Sequence, residues 1–273
     1  MIVSEIYNSG VFRVTPFYFG DVNRALFGIH HQPTASQFRN SAVVLCNPPG
    51  FEYSRTHSLY RYLAKKLASN GYHVLRFDYY ATGDSSGYSH EVSIEQCLKD
   101  IVLSCDEIKT ISATKKITII GCRMGASLAA YAAVNYKFNR LVLWDPVING
   151  EQYLRELQAM QKKMRVDPDR FDMNYLSNED DENELIGHPF TPEFKNEIEC
   201  IDLKNIEQTK ARKVDIICCE DDTCENELVR DAKFAEKASV YCFDSHADWT
   251  VIDKIESKVL PDSSVEKIIE LVS

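Results

Sequence analysis

No stretch of this sequence approaches the roughly 18 consecutive apolar residues of a membrane-spanning helix. The opening residues, MIVSEIYNSG, carry neither the basic n-region nor the apolar h-region of a secretory signal, so a cytoplasmic protein is expected. Positive charge is also scarce: 31 Lys and Arg face 41 Asp and Glu, for a net charge of −10. Nucleic acid and anionic membranes need a basic surface, so neither is expected as the main partner. The nine cysteines are odd in number, and without a secretion signal they read as reduced thiols. Cys122, Cys218, Cys219 and Cys242 lie in apolar runs that read as strands, where a thiol behaves as a small hydrophobe. Cys218 and Cys219 are adjacent with no Cys-x-x-Cys pair nearby, so no metal site and no cofactor is expected. Internal repeats and low-complexity tracts are lacking too.

What remains is a chain of 273 residues, 44% hydrophobic and 26% charged, long enough for one large-cored α/β domain with an insertion. Two antiparallel strands are expected at 11–19 and 24–31. Then short apolar runs alternate with amphipathic segments. Strands are predicted at 41–47, 72–79, 116–121, 140–144, 214–219 and 240–243. Helices are predicted near 57–69 and at 93–112, 124–136 and 265–271. Continuous Val/Ile/Leu runs between helices imply a mostly parallel sheet covered on both faces.

Between Pro146 and about Lys210 the rhythm stops. The sequence there offers no strand, only an amphipathic helix around Tyr153, Leu157 and Met160 and an acidic loop at 178–184. An insertion of that length after one strand reads as a cap over the strand ends, with a core of 1–147 and 211–273 and a cap of 148–210. The alternative is a surface elaboration, its acidic loop a solvated face.

The most informative motif is Gly121-Cys-Arg-Met-Gly125, set between a strong strand and an Ala-rich helix. A nucleophile elbow needs small residues two before and two after the nucleophile, because the strand-to-helix turn has no room for bulk. The spacing is that of G-x-S-x-G with Arg123 in the middle. Downstream, Asp222 follows the strand ending at Cys219, and His246 follows the last strand in Phe243-Asp-Ser-His-Ala-Asp-Trp249. A carboxylate there could orient an imidazole. Asp221 and Asp145 are rivals for the acid, helix capping is the plain alternative for Asp222, and a surface loop is the plain alternative for His246.

Four segments together carry a family resemblance. They are Asn47-Pro-Pro-Gly-Phe-Glu-Tyr53, Phe77-Asp-Tyr-Tyr-Ala-Thr-Gly-Asp-Ser-Ser-Gly87, the elbow, and Leu143-Trp-Asp-Pro-Val-Ile-Asn-Gly150. The chain resembles the α/β-hydrolase superfamily in its serine-aminopeptidase-like branch, most closely the hydrolases found beside exosortase systems and some biosynthetic gene clusters. The resemblance spans nearly the whole chain. It implies an α/β-hydrolase fold with a site at Arg123, Asp222 and His246, in the order nucleophile position, acid, histidine. Gly50, Phe51, Glu52, Met124 and Asp145 would then line the oxyanion region and ligand pocket.

Arginine cannot attack a carbonyl, because its guanidinium has five donors and no acceptor. Four routes stay open. Cys122 could serve, although Ile120 and Met124 would then occupy the positions that must be small. Ser127 fits a second small-x-Ser-x-small frame one helical turn further on. His246 with Asp222 could activate water for an ester or thioester. Otherwise the protein is catalytically silent and binds a small acyl or anionic ligand, or a biosynthetic enzyme or carrier protein. A buried Arg123 needs a partner, and Glu52 is the nearest by topology, with Asp145, Asp222 and the chain's own loop carbonyls as rivals. Paired with Glu52 it would close the oxyanion region; pointing into the pocket it would make an anion receptor.

Overall fold

A computed structural model describes residues 13–35, 38–167, 183–219, 232–236, 238–243 and 247–273. Eight strands form one sheet: β1 Val14–Phe19, β2 Leu26–His31, β3 Ala42–Cys46, β4 His73–Phe77, β5 Ile117–Cys122, β6 Arg140–Trp144, β9 Val214–Cys219 and β10 Ser239–Phe243. Their order is β1-β2-β4-β3-β5-β6-β9-β10. β1 with β2 and β2 with β4 are antiparallel, and every later pair is parallel.

The period-2 geometry of a strand divides β3 between two cores. Ala42, Val44 and Cys46 pack with α2 (Ile94–Ser112) and α3 (Met124–Asn135). Val43 and Leu45 pack with Leu59, Tyr60 and Leu63 of α1 (Phe51–Ser69) and with Val265 and Ile268 of α6 (Ser263–Val272). Both faces are therefore covered, which is why β3 and β5 read as continuous apolar runs. α3 is Ala-rich because both the sheet and α2 press on it; Met124 to Ala130 are all buried.

The segment after β6 holds α4 (Gly150–Arg165), a small hairpin of β7 (Glu184–Leu185) and β8 (His188–Pro189), and α5 (Pro192–Glu199). Asn149 caps α4 by accepting from the Gln152 N–H, and Thr191 caps α5 by accepting from Phe194; such caps contribute about 1 kcal/mol each. Tyr153, Leu157 and Met160 are buried on one face of α4, as their spacing predicts.

Two expectations fail here. The insertion was expected to hold no strand, yet β7 and β8 pair. Ile186 and Gly187 both take positive φ between them, which a two-residue hairpin turn demands and an apolar pattern cannot announce. Helix α1 begins at Phe51, six residues before the predicted start, because Gly50 supplies the positive-φ entry. Glu52 consequently sits in a first helical turn rather than in a loop.

Candidate active site

β5 ends at Cys122 and α3 begins at Met124, leaving Arg123 alone to make the turn. Its φ of 53° and ψ of −127° lie in a region that costs a non-glycine residue about 1–3 kcal/mol. The surrounding backbone enforces it: the Arg123 N–H donates to the Trp144 carbonyl at 2.9 Å. The flanking glycines are required by contact. A Cβ on Gly121 would lie 2.4 Å from the Gly125 carbonyl oxygen, and one on Gly125 would lie 2.3 Å from the Cys46 oxygen. Those contacts fit an elbow centred on Arg123. The alternatives are enclosed: Cys122 is fully buried in β5, and Ser127 is fully buried in α3, donating to the Val147 carbonyl at 2.6 Å.

The Arg123 side chain is 10% exposed, and its Nε donates to Glu52 Oε1 at 2.9 Å. Glu52 is 1% exposed. The positive end of α1 favours a carboxylate in this first turn. Its second oxygen accepts from the Tyr153 hydroxyl of α4 at 3.0 Å. Burial alone would loosen the Arg123 proton, but the Glu52 charge and hydrogen bond outweigh it and hold the guanidinium above its ordinary range. Burial, and then the Glu52 charge, push the Tyr153 phenol well above the usual tyrosine value. The cluster is thus a cation, an anion and a neutral phenol.

Trp249 closes the other side. Its ring centroid lies 5.4 Å from the Arg123 guanidinium carbon and 5.3 Å from that of Arg55. Its indole N–H donates to Asp145 Oδ2 at 3.0 Å. Arg55, one turn after Glu52 on α1, donates to the carbonyls of Ala247, Asp248, Trp249 and Ser257 and so ties the segment after β10 to α1.

Of the sequence-based candidates, Arg123, Glu52 and Asp145 meet directly, since Arg123 also faces the Asp145 carbonyl at 3.5 Å. Met124 and Phe51 are buried beside them in the core, and Gly50 is the N-cap of α1. Asp221, Asp222 and His246 lie outside the described residues. Sequence reasoning missed Tyr153 as a donor and overlooked Arg55 and Trp249. A polar-tipped aromatic on the apolar face of α4 was the available signal for Tyr153, and the i, i+3 spacing of Glu52 and Arg55 the signal for Arg55.

The family model described as "Serine aminopeptidase, S33" matches residues 41–186, more than half of the 273 residues. The chain belongs to the serine aminopeptidase S33 family. No curated protein matches it by sequence. Among solved structures it is similar to the Pyrococcus furiosus esterase Pf2001, with a TM-score of 0.61 at 19% identity over 86% of this chain and 82% of that one. It is similar also to the Pseudomonas aeruginosa hypothetical protein PA2218, with a TM-score of 0.64 at 18% identity over 96% and 94%. The α/β serine hydrolase XC6422 of Xanthomonas campestris gives 0.57 at 12% identity over 95% and 94%. At these identities the likeness is one of fold, and it is the α/β-hydrolase fold. Within this S33 chain no described helix is long and apolar enough to cross a membrane.

Proposed function

We propose that this S33-family chain forms no acyl-enzyme and keeps the hydrolase fold to bind a small uncharged acyl compound. One observation carries the reading: at the turn where the family's attacking serine would stand, Arg123 is buried and joined to Glu52 at 2.9 Å. A guanidinium has no lone pair to attack a carbonyl and stays protonated under any working condition. Glu52 already matches its charge, which argues against an anion receptor at the elbow and leaves the acyl ligand as the better reading. In this proposal residues 148–210 act as a cap over a core of 1–147 and 211–273. The Tyr153–Glu52 bond and the approach of Phe190 to Gly50, where a Cβ would lie 3.0 Å from the ring, support that role.

A fluorophosphonate probe tests it. The unmodified protein is expected to remain unlabelled, because the attacking position of the elbow, Arg123, offers neither hydroxyl nor thiol. Arg123→Ser should gain weak labelling if Asp222 and His246 still supply an acid and a base. The gain stays small because Glu52 is left without its cation beside the developing oxyanion. Strong labelling of the unmodified protein, lost on Ser127→Ala or Cys122→Ala, would overturn the reading and make this a working nucleophilic hydrolase.

A further inference from the structure

A concavity borders the loop that precedes α1. Its volume is about 470 Å³, within the range of small-molecule sites. Pro48, Pro49 and Gly50 form one wall, the loop joining β4 to α2 forms another, and β8 with Phe194 of α5 forms a third. None of Arg123, Glu52, Tyr153, Asp145 or Trp249 belongs to its lining.

The β4–α2 wall is built to hold its shape. Asp78, 7% exposed, accepts from the Tyr53 hydroxyl at 2.8 Å and from the Asp84 N–H at 3.1 Å. The Ser85 hydroxyl donates to the Asp78 carbonyl at 2.7 Å and accepts from the Phe27 N–H at 2.8 Å, pinning the loop to β2. Gly83 is packed so tightly that a Cβ would lie 2.2 Å from Asp78 Oδ2. Such a wall pays its ordering cost on folding and not on binding, which favours affinity.

We propose that this cavity binds an uncharged aromatic molecule. Its described lining contains no Lys, Arg, Asp or Glu, so a charged ligand would lose its hydration with no counter-ion in return. Tyr53 and Tyr88 give aromatic surface suited to stacking or edge contact with a ring, backed by the buried Tyr79 and Phe194. The polar groups are few. Tyr53 and Ser85 have given their protons to Asp78 and Thr82 has given its proton to the Tyr79 carbonyl, which leaves the imidazole of His188 and the hydroxyls of Ser89 and Tyr88 to fix a ligand's orientation. Burial lowers the His188 pKa, so the ring offers one donor and one acceptor at neutral pH.

The inference rests on the closed elbow only in taking the ligand to leave unchanged. Methyl cinnamate, cinnamate and methyl octanoate, each titrated against the full chain by ligand-observed NMR, test both points separately. Methyl cinnamate is expected to bind at least about tenfold more tightly than its carboxylate or the aliphatic ester, a difference of about 1.4 kcal/mol. Ser89→Trp, at an exposed wall position, should weaken it about tenfold while the circular dichroism spectrum and melting temperature stay unchanged; Val92→Trp should do the same from the half-buried side. Equal binding of ester and carboxylate, equal binding of the two esters, or binding indifferent to both tryptophans overturns the proposal. Release of cinnamate at a rate removed by neither tryptophan would overturn the closed elbow and leave the cavity assignment standing.

Discussion

Two buried carboxylates, Glu52 and Asp78, organise neighbouring parts of this molecule in opposite ways. Glu52 meets a cation, Arg123, and a phenol from α4, so the elbow is closed by charge. Asp78 is held by neutral donors, the Tyr53 hydroxyl and the Asp84 N–H, and burial pushes its pKa up. In the proposed function the first arrangement occupies the place of a family nucleophile. The second braces a loop whose far side leaves an uncharged cavity. Under the proposed function, retaining the fold and retaining its reaction are separate matters, and Glu52 bears on the second.

The largest expected effect comes from breaking the charged arrangement. Glu52→Ala leaves a buried guanidinium without its anion and should cost about 3–5 kcal/mol in urea unfolding. Asp78→Asn keeps acceptors for neutral donors and should cost less than half as much in the same assay. Equal losses would erase the contrast between the two sites.

Acidification probes the strands beneath the Asp78 loop. Burial holds His30 at about 4 and His31 at about 3, both below the ordinary 6.5. The unfolded chain therefore takes up these protons first, so stability is full above pH 6.5 and falls as pH drops toward 4 and then 3. Between pH 7 and pH 5 each histidine should remove up to about 2 kcal/mol, read from urea midpoints. A midpoint that rises on acidification would contradict this. The raised Asp78 pKa acts in the opposite direction.

A smaller effect compares two glycines. Gly83→Ala drives a methyl into Asp78 and should cost about 1–3 kcal/mol. Gly187→Ala, also at positive φ but facing open space, should cost only about 1 kcal/mol, from backbone strain. Thermal melts of the two variants measure the difference.

Much of this was legible beforehand. The alternating apolar runs gave the parallel sheet, and Gly121 and Gly125 marked the elbow because only their absent side chains let α3 fold back against β3. Pairing of Arg123 with Glu52 was open as one of two directions, since topology brings β3 and β5 side by side but does not orient a long side chain. The early start of α1 was hidden because Pro48-Pro49-Gly50 reads as loop chemistry running on through Tyr53. Trp249 with Asp145 was invisible because two partners 104 residues apart share no periodic signal. The hairpin at 184–189 was lost for a simpler reason: strands of two residues carry no alternation.

The central claim is that Arg123 is locked onto Glu52 and not available to a ligand. A double-mutant cycle of Arg123→Met, Glu52→Leu and the pair, followed by urea unfolding, measures that lock directly. Each single variant should lose about 3–5 kcal/mol, while the double variant should lose only the about 1–3 kcal/mol of the Tyr153 hydroxyl left without its acceptor, giving a coupling of at least about 3 kcal/mol. A coupling below about 0.5 kcal/mol, the scale of an exposed ion pair, would contradict the account and return Arg123 to the pocket as a free cation.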